Sequence, residues 1–178
     1  MRYVFSPPTD SISVGGKKYL INTDFKIWIM ICKILSDENI SNNDKILTLF
    51  MLTFKNEIPE NTDEAITELI SFLSKGKKGN RNSKKVYMDF EKDEELIYSS
   101  FLEQYGIDLY NANLHWWKFL SLLNSLSEDT GFIKVIRYRC CDTSKIKDKD
   151  TKQFYRNMKK YYRIEDEVSE DEISSALM

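Results

Sequence analysis

The stretch YGIDLYNANLHWWKFLSLLNSLSEDTGFIKVIRYR, residues 105–139, decides how the chain is read. It carries the only histidine, His115, and two of the three tryptophans, Trp116 and Trp117. A histidine beside two indoles invites a catalytic reading. Winding residues 113–126 as an α-helix at about 3.6 residues per turn tests it. Trp116, Phe119, Leu120, Leu123 and Leu126 then share one broad face, Leu114, Lys118, Ser121 and Ser125 fall opposite, and His115 sits at the boundary. That spacing belongs to a helix packed around most of its circumference. A catalytic histidine needs an orienting group and a nucleophile or metal in reach. The stretch is therefore read as a core helix, with His115 inside its packing.

The pattern extends outward on both sides. After a polar turn over residues 127–131, residues 132–139 resume apolar spacing with Ile133, Val135 and Ile136. A last helix is expected over residues 147–162, with Phe154, Tyr155, Met158, Tyr161 and Tyr162 on one face. Lys149, Lys152, Arg156, Lys159 and Lys160 line its other face, which reads as a solvated basic face. Residues 164–178 form an acidic tail with Glu165, Asp166, Glu167, Glu170, Asp171 and Glu172. Before the organising stretch, Glu91, Asp93, Glu94 and Glu95 crowd the start of a fourth helix, where negative charge favours the positive dipole end. Gly106 is expected to end that helix.

Earlier in the chain, residues 2–5 form a short β-like run stopped by Pro7 and Pro8. Residues 11–14 and 17–21 flank Gly15-Gly16, a hairpin signal because tight turns need positive φ. A second helix is expected over residues 43–54 and a third over residues 63–74, with Asn61 and Glu64 as a capping box. The segment KGKKGNRNSKK, residues 75–85, is basic, bears glycine and lacks apolar residues, and it reads as a flexible loop. It lacks the glycine spacing of a phosphate-binding loop and the interleaved aromatics of a base-stacking surface.

The first helix, residues 24–35, stands apart. Phe25, Ile27, Trp28, Ile29, Met30, Ile31, Ile34 and Leu35 leave only a narrow polar strip around Lys26 and Lys33. A helix apolar on nearly all sides must be buried or shared with a partner. Trp28, Ile29 and Ile31 are the candidate partner-binding or self-association residues on this reading.

Composition narrows the function classes. The 26 basic and 28 acidic residues nearly cancel to a net charge of −2, which does not suit a dedicated nucleic-acid binder. Cys32 stands alone and Cys140 and Cys141 are adjacent; with no Cys/His ligand set, no metal and no cofactor are expected. The sparse cysteines suit a reducing, intracellular compartment. The N-terminus lacks the apolar core of a signal peptide, and the longest apolar run, residues 27–31, is far short of the roughly 20 residues a membrane span needs. No nucleophile elbow or second histidine is present, so an enzyme is not expected. The expected fold is mainly α, a helical bundle of about six to seven helices with a small N-terminal β-hairpin. Three segments are expected: a hairpin appendage over residues 1–22, a helical domain over residues 23–163, and the acidic tail.

Specific segments also resemble a known family. INTDFKIW (residues 21–28), VYMDFEKD (86–93), FLEQYGIDL (101–109), LHWWKF (114–119), FIKVIRYR (132–139) and IKDKDTKQFYRNMKKYY (146–162) cover most of the chain from Ile21 onward. They resemble the bacteriophage family named after gene product fifteen, found in siphophages and prophages of Gram-positive bacteria. That family is similar in size and genome position to tail assembly chaperones. The resemblance implies a mainly helical protein that binds the tape measure protein, and possibly the tail-tube protein, during tail building. It further implies a homo-oligomer in the host cytoplasm that is absent from the mature virion, while composition and apolar run length leave no membrane or nucleic-acid partner expected. The alternatives are a minor structural tail protein retained in the virion, or a small nucleic-acid-binding regulator using residues 75–85 and the basic helix face.

Overall fold

Asp24 fixes where the first helix begins. Its carboxylate accepts a hydrogen bond from the Lys26 backbone N–H at 2.8 Å, satisfying one of the amides that a helix start leaves without a partner. The computed structural model describes residues 7–76 and 87–164. The expectations for residues 2–5, for the basic loop from residue 77 and for the acidic tail from residue 165 lie outside the described residues.

Among the described residues the elements run β1 (Ser11–Val14), β2 (Lys17–Leu20), α1 (Phe25–Ser36), α2 (Asn42–Thr53), α3 (Thr62–Leu73), α4 (Glu94–Tyr105), α5 (Trp116–Leu123), α6 (Gly131–Cys140) and α7 (Lys149–Tyr161). The protein is mainly α with a two-stranded antiparallel N-terminal hairpin, as its apolar periodicities predict. The chain forms two compact units: Met1–Asn82 with Ile107–Ser125, and Ser83–Gly106 with Leu126–Met178. The helices of residues 23–163 are thus divided between two clusters of contacts.

In the first unit, β1 pairs with β2 in the register Ser11↔Leu20 to Val14↔Lys17. Gly15 and Gly16 take φ of +57° and +77°, the conformation a tight hairpin turn demands. Ile12 and Val14 are buried, and β1 packs on α3. The hairpin is therefore part of this unit's core rather than an appendage to it. The Asn61 half of the expected capping box forms, its Oδ1 accepting the Glu64 N–H at 3.3 Å, while Glu64 turns its side chain to other donors. Its carboxylate accepts from the Asn61 side-chain amide at 2.9 Å and from the Gly15 backbone N–H at 3.1 Å, which ties the hairpin turn to the start of α3.

The core of this unit is a run of rings. Trp28 is fully buried, with its indole 4.8 Å from Phe72 and 6.4 Å from Trp116 between centroids. Phe119 stacks on Phe25 at 4.8 Å. α1 is buried on one face and not on nearly all sides: Phe25, Trp28 and Ile31 turn inward, Lys26 and Lys33 are exposed as the polar strip predicts, and Met30 is exposed with them.

In the second unit, Ile97 and Phe101 of α4 face Phe132 and Val135 of α6, all four buried. Gly106 ends α4 in the left-handed region, φ +64°, the C-terminal signal read from the sequence. Ser100 accepts the Phe132 backbone N–H at 3.2 Å, supplying a partner that the first turn of α6 lacks. α7 lies against α6 and has no fully buried side chain. Its main hold is Tyr138 of α6, whose ring meets Phe154, Tyr155 and Tyr162 at 5.8–6.0 Å.

Candidate functional site

The His115–Trp116–Trp117 cluster is a structural junction, and its geometry differs from the expected helix. α5 starts at Trp116, and residues 113–115 are not helical. Leu114 and His115 instead run beside the chain at residues 23–25. Phe25 N–H donates to Leu114 O at 3.0 Å, and Trp116 N–H donates to Thr23 O at 2.7 Å. Leu114, placed away from the core by helical phase, is buried for this reason.

His115 is the N-cap of α5. Its Nδ1 accepts the Trp117 backbone N–H at 3.0 Å. In the neutral ring the proton is therefore on Nε2, which donates to Thr9 O at 2.9 Å. Both ring nitrogens are engaged with backbone, and neither is presented to a substrate. The two indoles complete the far end of α3. Trp116 Nε1 donates to Leu73 O at 2.9 Å and Trp117 Nε1 donates to Phe72 O at 2.8 Å. These carbonyls lie in the last turn of α3, where a helix leaves acceptors without intrahelical donors. The triplet HWW thus starts one helix and finishes another, a role invisible to helical phase because it depends on residues about forty positions away.

Trp28, Ile29 and Ile31 do not form an accessible surface. Trp28 and Ile31 lie in the interior, and Trp28 Nε1 donates to Asn22 O at 2.8 Å. Ile29 is half-buried. Of the apolar residues that marked α1 as a partner surface, Phe25, Trp28 and Ile31 are spent on intramolecular packing. A notch between α1 and α2, lined by Ile31, Ile34, Leu35, Lys45 and Leu49, is too tight to admit a water molecule.

Titratable groups likewise serve the fold. Asp93, expected among the dipole-favouring acids of α4, is fully buried, while Glu94 and Glu95 keep that exposed role. Its carboxylate takes a bidentate pair of bonds from Arg139, both 2.7 Å, and accepts the Asp89 N–H at 3.0 Å. Arg139 also donates to Tyr87 O and Tyr162 O, so one guanidinium gathers the approach to α4, the end of α6 and the end of α7. Asp108, Asp142 and Asp148 are held below the usual carboxylate range, chiefly by side-chain hydrogen bonds from Asn111, Ser144 and Thr151 respectively. Burial pushes the Cys32 thiol up to about 11. No group of three or more His, Cys, Asp or Glu side chains among the described residues is placed to hold a metal ion. No helix among them is long and apolar enough to cross a membrane.

The accessible apolar side chains lie elsewhere. On α2, Leu49, Phe50 and Thr53 turn inward, while Leu47 and Met51, one turn apart, are 57% and 70% exposed on the opposite face. A free-standing surface helix would place polar residues there. The C-terminal end of α2 continues this apolar character. Leu20, whose carbonyl accepts the Lys55 N–H, and Ile58 are both about half exposed. No periodicity argument picked out Leu47 and Met51, because α2 has apolar residues on both faces and phase alone does not say which face is covered.

The family model described as Bacteriophage Gp15 protein matches residues 8–164. No curated protein and no solved structure matches the chain. The match takes in both compact units, including the HWW junction and the Asp93–Arg139 pair, and the chain belongs to the bacteriophage Gp15 family.

Proposed function

We propose that this bacteriophage protein is a tail assembly chaperone that binds the tape measure protein during tail morphogenesis, acting by binding rather than by catalysis. Membership of the Gp15 family carries this reading, through the likeness of that family in size and genome position to such chaperones. The surface supports it physically. A tape measure protein is long and helical, and an amphipathic helix is held by apolar side chains that accept its apolar stripe. Leu47 and Met51 on α2, with Leu20 and Ile58 beside its end, offer such side chains on the first unit. Methionine suits the role because its unbranched thioether adapts to irregular partners. Trp28, Ile29 and Ile31 have no part in it, since two of the three are interior.

On this reading the protein works in the host cytoplasm, assembles as a homo-oligomer along its client, and leaves before the virion is complete. Quantitative mass spectrometry of purified virions and of assembling tails separates the two states. The protein is expected in assembling tails together with the tape measure product and is expected to be missing from virions. Stoichiometric presence in virions would instead make it a structural tail component.

A further inference from the structure

The second unit carries an outward row of each charge. On α4, Ile97, Ser100 and Phe101 turn inward, and Glu95, Ser99 and Glu103 form an exposed row on the opposite side, with Leu102 beside it, 45% exposed. On α7, Lys152, Arg156 and Lys160 form a row opposite the rings that meet Tyr138. Arg156 and Lys160 are exposed and Lys152 is half-buried. None of these charged side chains is in an ion pair among the described residues. α6 packs against both helices, while α4 and α7 share no comparable contact, so neither row covers the other within the chain.

Helix stability explains only part of this placement. Glu95 and Lys160 each stand near a helix end of opposite sign, which favours them. Glu103 lies in the last turn of α4 and Lys152 at the end of the first turn of α7, where the dipole has the sign of the side chain and disfavours it. The two rows also match in length. Glu95 to Glu103 and Lys152 to Lys160 are the same step along the sequence, about 12 Å at ~1.5 Å per residue. Rows of residues four apart are the ridges by which helices most often pack.

We infer that the acidic row of α4 takes the basic row of α7 from a second copy, so that copies join head to tail. The ends of one row meet the ends of the other, and Arg156, at the middle, lays its aliphatic stem over Leu102. A contact between unlike faces leaves one of each free on every pair, so it continues from copy to copy. Exposed ion pairs contribute little singly. The contact is therefore weak between two free copies and accumulates when copies are arrayed on one client. The array rests on the proposed function, whereas the contact rests on this chain's own surfaces and is tested without a client.

Sedimentation equilibrium of the full chain alone tests it, at about 0.01 M and about 1 M salt, where the Debye length is about 30 Å and about 3 Å. Self-association is expected at low salt and is expected to weaken at least several-fold at high salt. Lys152→Glu with Lys160→Glu, and separately Glu95→Lys with Glu103→Lys, should each weaken low-salt association by about tenfold with unchanged circular dichroism. Mixing the two variants should restore it, because the acidic α4 of the first then meets the basic α7 of the second. A native protein that stays monomeric at low salt, or a mixture that stays dissociated, would overturn the proposal. So would association that both variants retain, which would place the contact elsewhere, as on the apolar face of α2. A native protein that is monomeric alone but binds a single-stranded oligonucleotide at low salt would give the basic row to nucleic acid instead, and would equally overturn it.

Discussion

In the first unit the largest fully buried side chain is Trp28, flanked by Phe72 and Trp116, with its one polar atom satisfied by Asn22 O. In the second unit a comparably buried position is taken by the Asp93 carboxylate, flanked by Arg139 and the Asp89 amide. The ring core draws on area removed from water and on shape, and a loss there leaves a cavity. The ion pair returns much of its Coulombic gain as desolvation, so its loss is costly mainly because one charge is stranded. The same folded chain therefore has two parts that should fail in different ways. α7, whose end is held by Arg139 and whose side chains are nowhere fully buried, is the element most exposed to the second kind of failure.

Substitution at the two centres breaks the comparison most directly. Trp28→Ala is expected to destabilise the first unit by ~3–5 kcal/mol through cavity formation, read by urea denaturation. Rescue by a second substitution across the stack is not expected. Arg139→Met is expected to cost a similar ~3–5 kcal/mol, yet the pair Arg139→Met with Asp93→Leu should recover most of it, because no charge is left buried. Amide exchange would place the first loss in α1 and the second in α6 and α7. A double variant no more stable than Arg139→Met alone would show that the second unit depends on packing at this position and not on charge balance.

Smaller effects sharpen the contrast. Gly106→Ala places a Cβ on a left-handed residue with open space around it, so the cost is conformational alone, about 1 kcal/mol. It should appear as earlier exchange in the last turn of α4. Cys32 should be nearly inert to iodoacetamide up to pH 9, since a thiol with a value of about 11 carries almost no thiolate there. Cys140 is exposed and should label first. Equal labelling of both in the folded protein would contradict the burial of the α1 side of the first unit.

These differences also mark what the sequence carried. Helix starts at Asp24 and Asn61, the stop at Gly106 and the turn at Gly15-Gly16 were legible because each depends on residues within a few positions. The segments in and around LHWWKF and FIKVIRYR were enough to suggest the family that the match over residues 8–164 shows. The roles of the same residues were not legible. His115 reads as a helical residue at the boundary of the apolar face, but it precedes α5, and its ring caps that helix and holds Thr9 O. Asp93 reads as one of several helix-start acids, but its partner Arg139 lies on another helix of its unit. α1 reads as a binding surface because its apolar side chains outnumber its polar ones; which of them are covered is decided by α2, α3 and α5. Leu47 and Met51 were passed over for the converse reason, since an apolar residue on a helix predicts burial until the fold shows a bare face.

On the proposed function, a helical tape measure partner is held by the exposed apolar face of α2 and not by the interior of α1. Co-expression with the tape measure product, followed by size-exclusion chromatography, tests it. The Leu47→Lys, Met51→Lys double variant should keep its stability within ~0.5 kcal/mol for each exposed site. The native protein is expected to co-elute with the tape measure product, and this equally stable variant is expected to elute without it. A native protein that elutes alone, or a variant that still co-elutes, would contradict it.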